Sequence, residues 1–293
     1  MATNLEFDFE DEQFNAPPSA VLPWCQMINP VVRHGEIQPY GLAISEENKK
    51  AARVKLTDEW EEVEYEFSSG EVVKLHMTTT PRLLVLHRGP ISLKERETGM
   101  TVGRLSDHYE DFLADRQRFK PFTRYLIFLV GENKELLHQE PLRMTLSGAA
   151  GASFGIAYGY RQGVKGEGFT HELEQAYAEF RGQPYMPKSA LFHAHGIFCP
   201  FLDAVEKGSG SARALVATTV DFEHPTGSNI TNYLIPSNSP TSQVLRQAFE
   251  EYQDFLQDAK DTSKERDEEG SFADNSSSYD YSFAKDLYSE PPY

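Results

Sequence analysis

Cysteine, long apolar runs and basic residues near the start are scarce in this chain of 293 residues. Its two cysteines, Cys25 and Cys199, form no CxxC pair and are too few for a disulfide scaffold, so we expect a reduced, cytoplasmic protein. The first residues, MATNLEFDFEDE, are acidic where a secretory signal needs a basic stretch and then an apolar one. No run approaches the roughly 18 apolar residues of a membrane span, so we expect neither export nor membrane insertion.

The net charge of -17 is concentrated at the two ends of the sequence. Residues 1–22 contain five acidic residues and no lysine or arginine, and residues 256–293 contain ten acidic residues against four basic ones. Such segments bury too little apolar surface to offset an ordering entropy of roughly 1 to 2 kcal/mol per residue. We therefore predict a disordered acidic arm at residues 1–22, a single globular domain at 23–256 and a disordered acidic and aromatic tail at 257–293.

Alternating and continuous apolar segments predict that much of the chain forms strands. Residues 63–67 and 72–77 alternate on either side of a Ser-Ser-Gly turn, which predicts a hairpin. The apolar run at residues 125–130 predicts a central strand covered on both faces. Further strands are predicted at residues 82–87, 142–146, 190–199, 213–222 and 229–235.

Helical periodicity or composition predicts three helices, at residues 107–118, 172–180 and 240–258. The last is predicted to be long and amphipathic, with Ser239 as its N-cap and Pro240 at its first position.

The segment at residues 147–168 is glycine-rich and fits two structures. Gly151, Gly155, Gly159 and Gly163 recur at every fourth residue, so they would line one face of a helix. Glycine costs about 1 kcal/mol in a helix relative to alanine, so a flexible loop fits as well. The segment lacks the Gly-Lys-Ser/Thr ending of a phosphate loop, and no nucleotide cofactor is expected.

Basic and aromatic residues are interleaved in RQRFKPFTRYLIFLV, at residues 116–130. Cations follow the phosphates of single-stranded nucleic acid while rings stack on its bases, so this mixture predicts a nucleic-acid site. The alternative is that the rings belong to the core and the cations pair with nearby acids. The candidate residues of the main stretch are Arg116, Arg118, Phe119, Lys120, Phe122 and Arg124, and those of a second, weaker stretch are Tyr158, Tyr160, Arg161 and Lys165.

His193 and His195 would lie on one face of a strand, with Cys199 four residues further on. This spacing makes a metal site conceivable, but histidines among apolar residues are more often core or sheet residues. We therefore expect no metal, no cofactor and no enzymatic activity.

The tail ends in DLYSEPPY and resembles the acidic tails of mostly β proteins that coat single-stranded DNA. Those tails compete with DNA for the basic groove and offer a terminal ring to partner proteins, although their tips usually end in Phe rather than Tyr. The resemblance implies that replication or repair proteins bind the tail, through Asp286, Leu287, Tyr288, Glu290 and Tyr293.

The folded region has a resemblance of its own. LPWCQMINP, TTPRLLV, TRYLIFLV, SGAAGASFG and FHAHGIFCP together resemble an uncharacterised bacterial family of about this length, over residues 22–256. The resemblance supports one contiguous domain and implies no activity.

These observations predict an α+β fold with a largely antiparallel sheet, flanking helices and a long C-terminal amphipathic helix. The sheet could close into a barrel like that of an oligonucleotide-binding fold. The expected function is binding of single-stranded DNA, with a tail that recruits partners. The alternative is a protein-interaction or assembly subunit without nucleic-acid binding or catalysis, and a homo-oligomer is compatible with either.

Overall fold

The computed structural model describes residues 22–33, 35–67, 70–159, 168–208 and 213–256. The predicted acidic arm, apart from Leu22, and the tail lie outside the described residues. The strands in chain order are β1 (Trp24–Ile28), β2 (Val32–Arg33), β3 (Glu36–Ile37), β4 (Gly41–Ser45), β5 (Glu61–Glu66), β6 (Val72–Thr78), β7 (Leu83–Glu95), β8 (Thr101–Arg104), β9 (Phe119–Leu129), β10 (Leu142–Ser147), β11 (Ile197–Phe198), β12 (Pro200–Lys207) and β13 (Ala214–Phe222).

Nine of these strands form one sheet, in the order β11-β7-β9-β10-β1-β4-β6-β5, with β8 paired to the far end of the long strand β7. Every pairing is antiparallel except that of β1 with β10, which is parallel. The ribbon β12-β13 and the hairpin β2-β3 are separate two-stranded sheets. The predicted α+β class with a largely antiparallel sheet is confirmed.

The sheet does not close into a barrel within the described residues. Strand β5 lies at one edge, β11 and β8 lie at the other, and the two edges are not paired. The barrel expectation is therefore wrong.

Helices cover the sheet and enclose the main core. Helix α3 packs against β9, β10 and β13, and Phe154 of α3 contacts Tyr125 of β9 edge to face, with ring centroids 5.0 Å apart. Tyr158, Phe169 and Phe198 extend this aromatic cluster. The helices are α1 (Glu46–Ala51), α2 (Tyr109–Ala114), α3 (Gly148–Tyr158), α4 (Phe169–Arg181), α5 (Ala190–His193), α6 (Ile230–Tyr233) and α7 (Pro240–Glu251), with 3₁₀ turns at Leu105–His108 and Gln253–Leu256.

Several predicted elements are present, with shifted ends. The hairpin is β5-β6, the central strand is β9, and its predicted neighbour β10 pairs with it. Helix α3 shows that residues 148–158 of the glycine-rich segment are helical, while residues 160–167 lie outside the described residues.

Two other predicted strands require correction. Residues 190–199 are not one strand, because Ser189 caps a helical turn, α5, and only Ile197–Phe198 pair with β7. Residues 230–233 form α6 rather than a strand.

Helix α7 begins as predicted, with the Ser239 side chain accepting a hydrogen bond from the Ser242 N–H. It ends at Glu251, so the predicted long helix is not seen. None of the helices in the described ranges is long and apolar enough to cross a membrane.

Candidate nucleic-acid interface

The rings of the basic and aromatic stretch are core residues. Phe119 and Phe122 are 5% and 4% exposed, and Tyr125 contacts Phe154 beneath α3. Tyr158, a ring of the second stretch, is completely buried against Phe198. These rings are therefore closed to stacking on a base in this conformation, and Tyr160, Arg161 and Lys165 lie outside the described residues.

Two of the predicted cations precede β9 and have partners of their own. The Arg118 Nε donates to Glu95 Oε1 at 2.8 Å, and its guanidinium lies over the Phe119 ring. This ion pair holds the pKa of the Glu95 carboxyl below its usual value. Arg116 lies over the Phe112 ring, with its guanidinium carbon 5.8 Å from the ring centroid.

Lys120 and Arg124 share one face of β9, because strand residues two and four apart project to the same side. The strand register extends this face across neighbouring strands. On β7, Lys94 lies opposite Lys120. On β8, Arg104 lies opposite Ser92, which is two residues from Lys94 and therefore on the same side. On β10, Thr145 lies opposite Arg124, and Arg143, two residues from Thr145, is on that side as well. We call these five cations the basic face: Lys94, Arg104, Lys120, Arg124 and Arg143.

The basic face is a local reversal of charge in an acidic protein. Strands β1, β7, β8, β9 and β10 contain a single carboxylate, Glu95. Its partner in the register is Phe119, so Glu95 projects to the opposite side of the sheet from the basic face. The strand rises about 20 Å between Lys120 and Leu126, and Leu126 is the residue opposite Arg143. The five cations therefore form an extended positive strip.

Members of the basic face are also engaged within the protein. Lys120 and Arg143 are each 6% exposed, and Lys94, Arg104 and Arg124 are half-buried. The Arg124 guanidinium lies 4.9 Å from the centroid of the Phe122 ring, and Lys120, Arg124 and Arg143 all have intramolecular interactions. An anionic ligand would therefore exchange with existing partners.

The two histidines that were weak metal-ligand candidates have different hydrogen-bond partners. His193 Nε2 lies 2.7 Å from Glu174 Oε1, whereas His195 Nε2 lies 2.9 Å from Ser242 Oγ. Cys199 is buried, and its burial raises the pKa of the thiol to about 12. In the ranges that the structure describes, no group of three His, Cys, Asp or Glu side chains is arranged to hold a metal ion.

The structure also contains a cavity whose lining includes no residue of the basic face. This cavity of about 470 Å³ opens between α4, α5, α6 and α7, within the usual volume range of ligand sites of about 300 to 1,000 Å³. Its lining is mostly apolar, with Lys134 and Arg246 among its few charged residues. The sequence pattern contained no signal for this cavity, since its walls come from five separate segments.

The fold and this face define an α+β protein built on an open, mostly antiparallel sheet that bears a cationic strip. Within that class, the chain matches a family model described as a domain of unknown function (DUF5895) over residues 19–268, and it belongs to that family. The predicted resemblance to an uncharacterised family is thereby confirmed. No curated protein and no solved structure matches the chain.

Proposed function

We propose that this protein binds single-stranded DNA through the basic face, by contacts to phosphates. The observation that carries the proposal is the alignment of five cations on one side of adjacent strands, in a chain of net charge -17. Cations aligned in this way neutralise successive phosphates and release counterions, which is the main source of affinity without sequence preference.

The contact set differs from the one expected from sequence. Arg116 and Arg118 lie outside the strip, and Lys94, Arg104 and Arg143 join it. Base stacking on Phe119, Phe122 or Tyr158 would require these rings to leave the core. Affinity should therefore be more sensitive to salt than to base composition.

The start of the tail supports competition between the tail and DNA. A Cβ atom placed on Gly89 would lie 3.4 Å from the Arg124 carbonyl oxygen and 3.9 Å from that of Phe255. Phe255 thus lies close to Arg124 of the basic face, and the sequence that follows Phe255 is acidic. In this proposal the acidic segment competes with phosphates, and the distal tail residues recruit replication or repair proteins.

Fluorescence anisotropy with a labelled single strand of roughly 30 nucleotides tests the proposal. Single substitutions Lys94→Ala, Arg104→Ala and Arg124→Ala should weaken binding, and each should reduce the slope of log K against log salt by about 0.7. Arg116→Ala is the matched control, because it removes a cation outside the strip. Circular dichroism confirms that each variant is folded.

Equal loss of affinity in Arg116→Ala and in the three variants would contradict the assignment to this face. Absence of binding by the parent chain would remove the proposal and favour the protein-interaction alternative. A chain ending at Asp258 should bind more tightly than the full chain, with the difference shrinking at high salt.

A further inference from the structure

The cavity between α4 and α7 combines an apolar wall with a basic rim. Tyr177 and Phe192 lie in its wall with their ring centroids 5.2 Å apart, and Leu234 adds an aliphatic surface. Phe180, also in the lining, is 54% exposed. Apolar side chains that line a cavity and remain partly open to water are typical of a site for an apolar or aromatic group.

Two cations at this cavity are held by neutral partners. Lys134 Nζ donates to the Thr231 carbonyl oxygen, and Arg246 Nη2 donates to the Ser237 carbonyl oxygen at 3.2 Å. Among the described residues, neither cation forms an ion pair. Their charges therefore remain available to an anionic ligand, and the cavity favours a ligand that combines rings with carboxylates.

We infer that the cavity binds the chain's own C-terminal segment, YDYSFAKDLYSEPPY, at residues 279–293. This segment supplies five rings and one leucine for the apolar wall. It also supplies three carboxylates against one lysine, so its charge complements that of Lys134 and Arg246. Aromatic side chains that bury an apolar ring while leaving a polar group at the surface are common anchors of peptide interfaces.

The short distance from the cavity to the 3₁₀ turn at Gln253–Leu256 makes this contact reachable. Arg246 of the rim and Phe255 of the following 3₁₀ turn are separated by nine residues of helical backbone, which span about 15 Å. Residues 257–278 connect this point to the proposed segment. A chain of 22 residues can span up to about 70 Å, which is longer than this separation, so the segment can reach the cavity.

This occupancy is independent of DNA binding by the basic face. The segment that we place in the cavity is the one proposed to recruit partner proteins, so docking would hide it until a partner or a second ligand displaces it. The cavity would then keep the tail inaccessible to partner proteins.

Photo-crosslinking in the full-length protein tests the inference. We would replace Tyr288 with p-benzoylphenylalanine, irradiate, and map the products by tandem mass spectrometry. Crosslinks should concentrate in peptides from α4, α5 and α6. The same photoreactive residue at Phe272, in the linker, is the positional control, and it should not crosslink to these helices.

Two variants challenge the contact from different directions. Thr231→Trp places a large side chain at an exposed position of the lining, and Lys134→Glu with Arg246→Glu reverses the rim charge. Each should reduce the yield of cavity crosslinks about fivefold or more. Arg181→Glu with Lys207→Glu is the matched charge control, and it should leave the yield unchanged.

Mixing isotopically light and heavy chains tells whether a crosslinked tail comes from the same chain or from a second copy. Either result supports binding of this segment by the cavity. Crosslinks confined to other surfaces, including the basic face, would overturn the inference, as would cavity crosslinks that persist in both variants. Native mass spectrometry that finds a small amphipathic molecule in the cavity would also overturn it.

Discussion

His195 Nε2 and Ser242 Oγ lie 2.9 Å apart and join α7 to the segment that follows α5. His195 Nδ1 lies 2.7 Å from the Leu191 carbonyl oxygen, which can only accept a hydrogen bond. Nδ1 therefore carries the proton, and Nε2 accepts from the Ser242 hydroxyl. Both residues are buried, and burial lowers the pKa of His195, which favours the neutral ring.

Replacing Ser242 with alanine should destabilise the protein by about 1 to 3 kcal/mol, because it leaves a buried ring nitrogen without a donor. Urea unfolding followed by circular dichroism measures the change. Gln243→Ala, at an exposed position of the same helix, is the control and should change stability by less than about 0.5 kcal/mol. Equal stability of the Ser242 variant and the parent protein would show that the bond contributes nothing.

Stability should fall in mildly acidic solution because of His138. Its Nε2 accepts a hydrogen bond from the Leu129 N–H at 2.8 Å, and burial lowers the pKa of the ring to about 4. The unfolded chain, in which the pKa is ordinary, takes up a proton first. The contribution of His138 is therefore fully present above about pH 6.5 and is lost as the pH falls towards about 4, by about 3 kcal/mol.

The free energy of unfolding of the parent and of His138→Gln, measured between pH 7.5 and pH 4.5, isolates this contribution from the other acidic transitions. The variant should lose less stability over this range. Parallel curves for the two proteins would contradict the assignment.

Two glycines of α3 should respond in opposite directions to alanine. At Gly155 a Cβ would meet only the Tyr125 hydroxyl, at 3.8 Å, so Gly155→Ala should stabilise the protein by up to about 1 kcal/mol. At Gly151 a Cβ would lie 3.2 Å from the Leu146 backbone, so Gly151→Ala should destabilise by roughly 1 kcal/mol or more. Thermal unfolding of both variants compares them directly, and equal shifts would show that close packing does not distinguish them.

His224 lies between two carboxylates, with Nδ1 2.7 Å from Glu172 and Nε2 3.1 Å from Asp221. The bond to Glu172 is the main cause that raises the pKa of His224. Its stabilising effect is present below the ordinary pKa and is lost as the pH rises through the raised value. Because the ring is half exposed, we expect the effect to be under about 1 kcal/mol.

Titration of the His224 ring by NMR should show that Glu172→Gln lowers its pKa. Glu179→Gln is the control, because Glu179 bonds to the Gly227 N–H instead. A His224 pKa that is insensitive to Glu172 would contradict the pairing.

The sequence predicted several local elements well, but it did not show which side chains of the basic and aromatic stretch are buried. The apolar run around Leu126 is typical of a covered strand, and Ser239 followed by Pro240 marks a helix start, so both elements were predictable from neighbouring residues. Strand periodicity predicted that His193 and His195 share a face. Instead, the Ser189 side chain accepts a hydrogen bond from the Phe192 N–H and begins a helical turn. A serine preceding a short apolar run was the available signal.

The basic face was only partly predictable, for a physical reason. Lys120 and Arg124 are close in sequence and share a strand face, but Arg143 joins them through strand register, which depends on distant pairing. Phe122 projects to the same face of β9 as Arg124, and its ring lies under the Arg124 guanidinium. Interleaved rings and cations therefore pointed to β9, which contributes two cations to the basic face, but they did not show which side chains are buried.

The parallel pair β1-β10 has a consequence for how the chain acquires its structure. Trp24 pairs with Arg143, so β10, the second neighbour of β1, is synthesised more than a hundred residues after β1. During synthesis on the ribosome, β1, β4, β5 and β6 can assemble first, with an edge of β1 left unpaired. Long-range pairing of this kind slows folding and exposes nascent strand edges to association, so yield should depend on translation speed and chaperone supply.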